Sequence, residues 1–263
     1  MKPIWAIQTN AVNKTQAQAV IDAVLACGGE VDEVGVLPMT GLIVSRYGKY
    51  TESLDIIPYG STKLVQLAMD KKWTGVFRNN NFYSGAWKIY REDMLNNDIA
   101  ILYADEMESY LRNSPSDKLF FIKPYAGYKS FTGLTASKAD ILGFLSSKKI
   151  GKYDLPVDEP IVVSSYKQIL SETRWFVVNG KVISGSAYRV RGQAVSIPDN
   201  SDSNLAEAQR MADIWLPHQT CVMDLAETPD GTKVIEFNTF NSSGFYSHDI
   251  SKVVKAVIDG YSQ

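Results

Sequence analysis

Two cysteines and two histidines are all that 263 residues carry of the side chains most used in redox and soft-metal chemistry. Cys27 falls in a helical pattern and Cys221 in a strand pattern, without the short paired spacing of zinc or redox motifs, so both read as small buried hydrophobes. His218 and His248 come with no G-x-S-x-G elbow and no reactive-cysteine context, which leaves them structural rather than members of a triad. Long apolar runs are missing as well. None approaches the ~18 residues of a membrane span, and residues 1–10 run into a strand without the charged-then-apolar order of a signal, so the cytoplasm is the expected compartment. A net charge of −2 provides no electrostatic footprint for nucleic acid or an anionic membrane, and neither is an expected partner.

What is present is an alternation of helical and strand patterns that gives way to hairpins. Residues 4–7 read as a buried strand and 15–26 as a helix capped at Asn13 or Thr15. Cys27-Gly28-Gly29 stops that helix before a strand over 31–37. A helix over 61–69, a strand over 75–77 and an aromatic, Asn-rich loop over 79–87 continue this lobe. From about residue 96 the expected elements are a helix over 105–111, a strand over 119–122, a Gly- and Tyr-rich loop over 125–133, a helix over 137–146 and a strand over 161–163. Two hairpins follow, turning at Asn179-Gly180 and at Pro229-Asp230-Gly231, with a helix over 204–214 between them. The fold class is therefore α/β grading into α+β, with lobes over 1–95, 96–165 and 166–263. Trp73, Trp87, Trp175 and Trp215 are expected to pack in cores.

The second hairpin carries the clearest chemistry. If Pro229-Asp230-Gly231 is a three-residue loop, Met223 faces Phe237 and Leu225 faces Ile235 on one apolar side. The other side then sets Asp224 opposite Glu236, with Asn238 two residues on. Two like charges about 5 Å apart across a ladder repel and call for a cation. Two carboxylates and an amide suit a hard ion such as Mg²⁺; a solvated polar face is the alternative.

The first hairpin, with a two-residue turn at Asn179-Gly180, would set Arg174 opposite Gly185 and Glu172 opposite Ala187, and place Arg189 and Arg191 on the same face. Such guanidiniums can hold phosphate or carboxylate oxygens bidentately, with Gly185 leaving room for a ligand. A structural Glu172–Arg189 pair is the alternative. Lys123, at the end of an apolar strand and fixed by Pro124, suits a phosphate contact. Gly127, Lys129, Ser130, Thr132 and Gly133 could fold over phosphates, although no G-x-x-x-x-G-K-[ST] motif is present; a solvated lysine and an ordinary loop account for the same residues.

In order, Phe121-Ile122-Lys123-Pro124, then Glu172-x-Arg174-x-Phe176-Val177-Val178-Asn179-Gly180-Lys181-Val182, then Asp224 and Glu236-Phe237-Asn238 resemble the ATP-grasp superfamily, and are similar to its small arginine-to-lysine clade of bacteria and tailed phages. The resemblance spans about residues 96–260. It implies an N-terminal α/β lobe followed by two mixed lobes that clasp ATP. The nucleotide would meet Lys123, Lys129, Ser130 and Gly133 through its phosphates, and Ser165, Tyr166 and Glu172 elsewhere. Asp224, Glu236 and Asn238 would hold Mg²⁺, and Arg174 or Arg189 would offset charge on the transferring phosphoryl group. The reaction implied is carboxylate activation as an acyl phosphate, followed by attack of an amine from an amino acid or peptide. A kinase on the same scaffold, or a nucleotide-binding regulator without turnover, would share the same ATP and metal residues. A homodimer is one further expectation.

Two departures from the superfamily pattern stand out. Thr239-Phe240-Asn241-Ser242-Ser243-Gly244 replaces the usual Pro-Gly turn after the metal-binding asparagine, and this loop, with Arg191, Asn241 and Ser243, is expected to meet the acceptor. No arginine lies between Asp224 and Glu236, where several relatives have one, so Arg174, Arg189 or Arg191 would have to replace it.

Overall fold

The computed structural model describes residues 3–48, 54–79, 86–125, 130–155 and 158–261. Expectations for Gly127, Lys129, most of the loop over 79–87 and the side chain of Trp87 fall outside them. The chain opens with β1 (Ile4–Gln8) and α1 (Lys14–Ala26), which begins where the Asn13 side chain accepts from the backbone N–H of Thr15 and Gln16. Then come β2 (Glu30–Val36), β3 (Ile43–Ser45), β4 (Ile56–Tyr59), α2 (Thr62–Asp70) capped by Ser61, and α3 (Ala86–Tyr90). Residues 75–77, expected as a strand, are irregular.

The middle of the chain supplies β5 (Ala100–Leu102), α4 (Ala104–Leu111), β6 (Leu119–Pro124), β7 (Leu134–Ser137), α5 (Lys138–Ser147), β8 (Lys149–Ile150), β9 (Tyr153–Asp154) and β10 (Ile161–Ser165). The last third supplies β11 (Ser171–Val178), β12 (Lys181–Val190), β13 (Gln193–Asp199), α6 (Asp202–Ile214), β14 (Cys221–Thr228), β15 (Gly231–Asn238) and α7 (Ile250–Tyr261). Among the described residues, no helix is long and apolar enough to cross a membrane.

These elements form two compact units, 95–168 and the rest of the chain. In the smaller unit, β5-β10-β6-β7 make an antiparallel sheet. Met107 and Leu111 of α4 and Ile141 of α5 pack with Phe120, Ile122, Ile161 and Val163 of its strands.

In the larger unit, the segments expected as separate first and third lobes share one core. Its first sheet runs β3-β2-β1-β4, with β1 parallel to both neighbours. Its second runs β13-β12-β11-β14-β15, antiparallel throughout. Trp5 and Ile7 of β1 and Val20 and Val24 of α1 join Phe176, Val178 and Val222 of the second sheet and Val253, Val254 and Val257 of α7 in one cluster. The opposite face of that sheet, with Trp175, Val177, Met223 and Leu225, packs on Ala208, Met211 and Ala212 of α6. Strand alternation then sends Arg174 and Glu172 to the side of Phe176 and Val178, where the core ends and polar residues begin.

Asn241 joins the two parts of this unit. Its Oδ1 accepts from the Phe77 N–H at 2.9 Å, while its Nδ2 donates to the carbonyls of Pro58 at 2.8 Å and Gly75 at 2.9 Å. The side chain is fully buried, so the substrate contact expected of Asn241 is corrected to a structural tie. Replacing it with Ala leaves three buried backbone groups without partners, and we expect a loss of about 3 kcal/mol or more in unfolding free energy. The urea midpoint of Asn241→Ala against wild type checks this.

Candidate active site

The β14–β15 ladder reaches the expected pairing by an unexpected route. Thr228 pairs with Gly231, so the connection is a two-residue turn at Pro229-Asp230, and that register alone would carry Asp224 opposite Ile235. A shift between Asp224 and Leu225 admits one extra residue on β15 and restores Asp224 to Glu236 and Met223 to Phe237. Leu225 accordingly faces Val234, not Ile235.

β14 lies between β11 and β15, and this puts Arg174, Asp224 and Glu236 in one row across the sheet. Arg174 grips Asp224 with two hydrogen bonds, Nε to Oδ1 and Nη2 to Oδ2, each 2.8 Å. Asn238 Nδ2 donates to Asp224 Oδ2 at 3.0 Å and to Glu236 Oε1 at 3.3 Å. Asp224 is only 2% exposed, whereas Glu236 is open to solvent. Burial pushes the Asp224 carboxyl upward; the hydrogen bonds and charge of Arg174 oppose this, and the charges of Glu236 and Glu172 add to it. Burial also works against the guanidinium, yet the hydrogen bonds and charge of Asp224 hold Arg174 above its ordinary range and fully protonated. The fork makes this a geometrically specific pair.

The first hairpin differs from its expected register. Val178 pairs with Lys181 as read, but shifts between Phe176 and Val177 and between Glu172 and Thr173 set Arg174 opposite Ser186 and Glu172 opposite Arg189. Gly185 faces Trp175, and a Cβ there would lie 2.3 Å from the indole ring; the room belongs to Trp175 and not to a ligand. Arg189 Nη1 donates to Glu172 Oε1 at 3.1 Å, which is the structural pair held as the alternative. Arg191, expected on the ladder face, sits at positive φ in the turn between Val190 and Gln193, because Arg191-Gly192 connects β12 to β13. Ser243 is buried and donates to the Thr239 carbonyl at 2.8 Å. It also lines a cavity of about 240 Å³ with Asn13, Gln16, Tyr59, Ser61 and Gly244.

A match to the ATP-grasp domain, R2K clade family 3, spans residues 98–257. The chain belongs to the R2K clade of ATP-grasp proteins. No curated protein sequence matches it. Its fold is shared with a RimK-domain ATP-grasp protein of Sphaerobacter thermophilus (14% identity over 98% of this chain and 100% of that one, TM-score 0.65). The D-alanine–D-alanine ligase of Bacillus anthracis is similar as well (13% identity, 100% and 98%, TM-score 0.61). So is the ATP-grasp ligase PsnB, solved with a minimal precursor, Mg and ADP (14% identity, 98% and 97%, TM-score 0.58).

An ATP-grasp site calls for a divalent cation, and the donor set here fits one. Among the described residues no three His, Cys, Asp or Glu cluster as a metal site; the set is two carboxylates and an amide. The Asn238 amide nitrogen, a positively polarised group, already bridges Asp224 and Glu236. A half-turn of the carboxamide would present Oδ1 in its place, completing an all-oxygen set of the kind Mg²⁺ prefers.

In the smaller unit, Lys123 is on β6 opposite Val162, and Gly133 packs so closely on this strand that a Cβ would come within 3.0 Å of the Phe121 ring. Ser130 Oγ is buried and, among the described residues, has no hydrogen-bond partner. Ser165 is engaged with Asp98 and Lys167, while Tyr166 is exposed.

His248 lies under the Arg174 row, with its ring edge-on to Phe176 at 4.7 Å and Nδ1 3.1 Å from Ser184 Oγ. Burial, helped by the charge of Arg174, lowers its pKa to about 3 from 6.5. The unfolded chain therefore binds a proton that the native state refuses. The resulting stability is complete above pH 6.5 and is lost as the pH falls toward 3. Between pH 6.5 and 5, wild type should lose about 1.5 kcal/mol more than His248→Gln, as read from urea unfolding at the two pH values.

Proposed function

We propose that this chain is an ADP-forming ligase that activates a carboxylate with the γ-phosphoryl group of Mg-ATP and passes the acyl group to an amine. The observation that carries the reading is the pairing of Asp224 with Glu236 across β14–β15, with Asn238 in hydrogen-bond reach of both. Membership of the ATP-grasp domain family supports it, as do relatives of the same fold that carry ligase names.

Mg²⁺ held by Asp224, Glu236 and Asn238 would neutralise phosphate charge and polarise the transferring group. Arg174 turns its Nε and Nη2 edge to Asp224, which leaves Nη1 for an incoming oxyanion. Such a donor, fixed in advance in a poorly hydrated setting, stabilises charge that develops in the transition state without reorganising at that moment. Arg189, half exposed beside Glu172, is the second guanidinium proposed to meet phosphoryl or carboxylate oxygens. Lys123, Ser130, Ser165 and Tyr166 are the proposed nucleotide contacts of the smaller unit. The cavity beside Ser243, lined by hydroxyls, amides and backbone, is proposed to receive part of the acceptor; an amino acid or a peptide end fits its polar character.

ADP release from Mg-ATP in the presence of pooled amino acids, small carboxylates and hydroxylamine tests the reading. Hydroxamate formed alongside ADP is expected. ADP without hydroxamate would replace the ligase with a kinase, and neither product would leave a nucleotide-binding protein without turnover or an enzyme whose macromolecular substrate is missing from the pool. For the metal assignment, Glu236→Ala should weaken Mg-ATP binding by about tenfold or more, with an unchanged unfolding midpoint. Equal Mg-dependent affinity in calorimetry would remove Glu236 from the metal set.

A further inference from the structure

We propose that Tyr188 and Tyr246 form a two-ring clamp that positions the Arg174 guanidinium for the reaction, an inference that rests on the catalytic role proposed above for Arg174. The rings stack at 5.6 Å between centroids with 17° between their planes, and Arg174 Cζ lies 5.8 Å from the first and 5.2 Å from the second. Cation–π attraction of this kind draws a guanidinium toward both rings and restricts where its cationic carbon can sit.

Both tyrosines reach Arg174 through irregular backbone. Between Ala187 and Arg189 the β12 ladder shifts register on each side: against β11 Tyr188 is the extra residue, and against β13 it stands opposite two residues, Val195 and Ser196. A bulge re-aims the side chain it carries, here toward the face of Arg174 and Glu172. Tyr246 has φ of +43°, a left-handed conformation that a bulky residue adopts only when its surroundings impose it. They do so on both sides. Phe245 stacks on Phe176 at 4.5 Å, the Ser247 N–H donates to Ser186 Oγ at 3.3 Å with its hydroxyl 2.9 Å from the Ser196 carbonyl, and His248 is held by Ser184. Burial, and then the charges of Asp224 and Glu172, keep the Tyr188 phenol protonated, so no anion forms beside the carboxylate row. Tyr246 is 49% exposed and contributes little to any core, yet it carries the strain.

Tyr246→Gly separates the ring from the backbone, because glycine accepts positive φ and the variant should unfold no earlier than wild type. With the clamp open, exchange of the Arg174 Nε–H in the substrate-free protein, followed by NMR, should accelerate by about tenfold or more. The kcat for hydroxamate formation should fall by about 10- to 100-fold with KM for ATP within about threefold. Tyr246→Phe should return both to within about twofold of wild type. Unchanged exchange in Tyr246→Gly overturns the clamp, and so does unchanged kcat in an active enzyme. If exchange accelerates and is rescued by Phe while wild type shows no turnover, the clamp stands and the ligase reading falls.

Discussion

A carboxylate as deeply buried as Asp224 can stay ionised only while a cation faces it, and Arg174 is that cation. Removing one partner of such a pair strands the other charge in a medium that cannot solvate it, at a cost of about 3–5 kcal/mol. The arrangement around the pair follows from this requirement. β11 and β14 are neighbours with Arg174 and Asp224 directly paired, Asn238 Nδ2 donates to Oδ2, and two tyrosine rings lie beside the guanidinium. Glu236 is left at the open end of the row, where water reaches it and its charge costs little to hydrate.

Four irregularities in the larger antiparallel sheet adjust which side chains share this face. The extra residue on β15 restores Asp224 to Glu236, and those on β12 bring Arg189 to Glu172 and turn Tyr188 inward. The regular stretches between them carry the two cores, Trp175 and Met223 on one side, Phe176 and Val222 on the other. Chemistry and packing therefore occupy the same strands, with the bulges as the boundary between them.

Part of this is legible in the sequence: alternation sets Asp224 apart from Met223 and Leu225 on β14, and Glu236 and Asn238 apart from Phe237 on β15, whereas the bulge that puts Val234 in place of Ile235 opposite Leu225 leaves no such mark. The three-residue loop assumed for that pairing was not the mechanism. A two-residue turn and a bulge add to the same offset, and apolar pattern alone cannot separate the two. The first hairpin shows the reverse case: its turn at Asn179-Gly180 has a local signature, whereas the bulges on either side of the Trp175–Gly185 pair have none. Arg191 leaves the ladder face that strand alternation alone would give it, because Arg191-Gly192 turns the chain from β12 into β13. Asn241 looked like a ligand contact because a short polar side chain in a loop looks the same whether it faces solvent or three buried backbone groups. Tyr188 and Tyr246 share no motif in the sequence, since only folding brings them together.

The core shared by β1, α1 and α7 bears on how the molecule is made. Val253, Val254 and Val257 close a cluster begun by Trp5 and Ile7, so the first strands leave the ribosome long before the surface that covers them. Contacts of such sequence separation are slow to form and leave apolar surface open meanwhile. Residues 95–168, with a hydrophobic cluster of their own, have all they need for that cluster before α7 has been translated. Synthesis from one end thus favours an order in which the inserted unit condenses first and the unit holding the Arg174–Asp224 pair last.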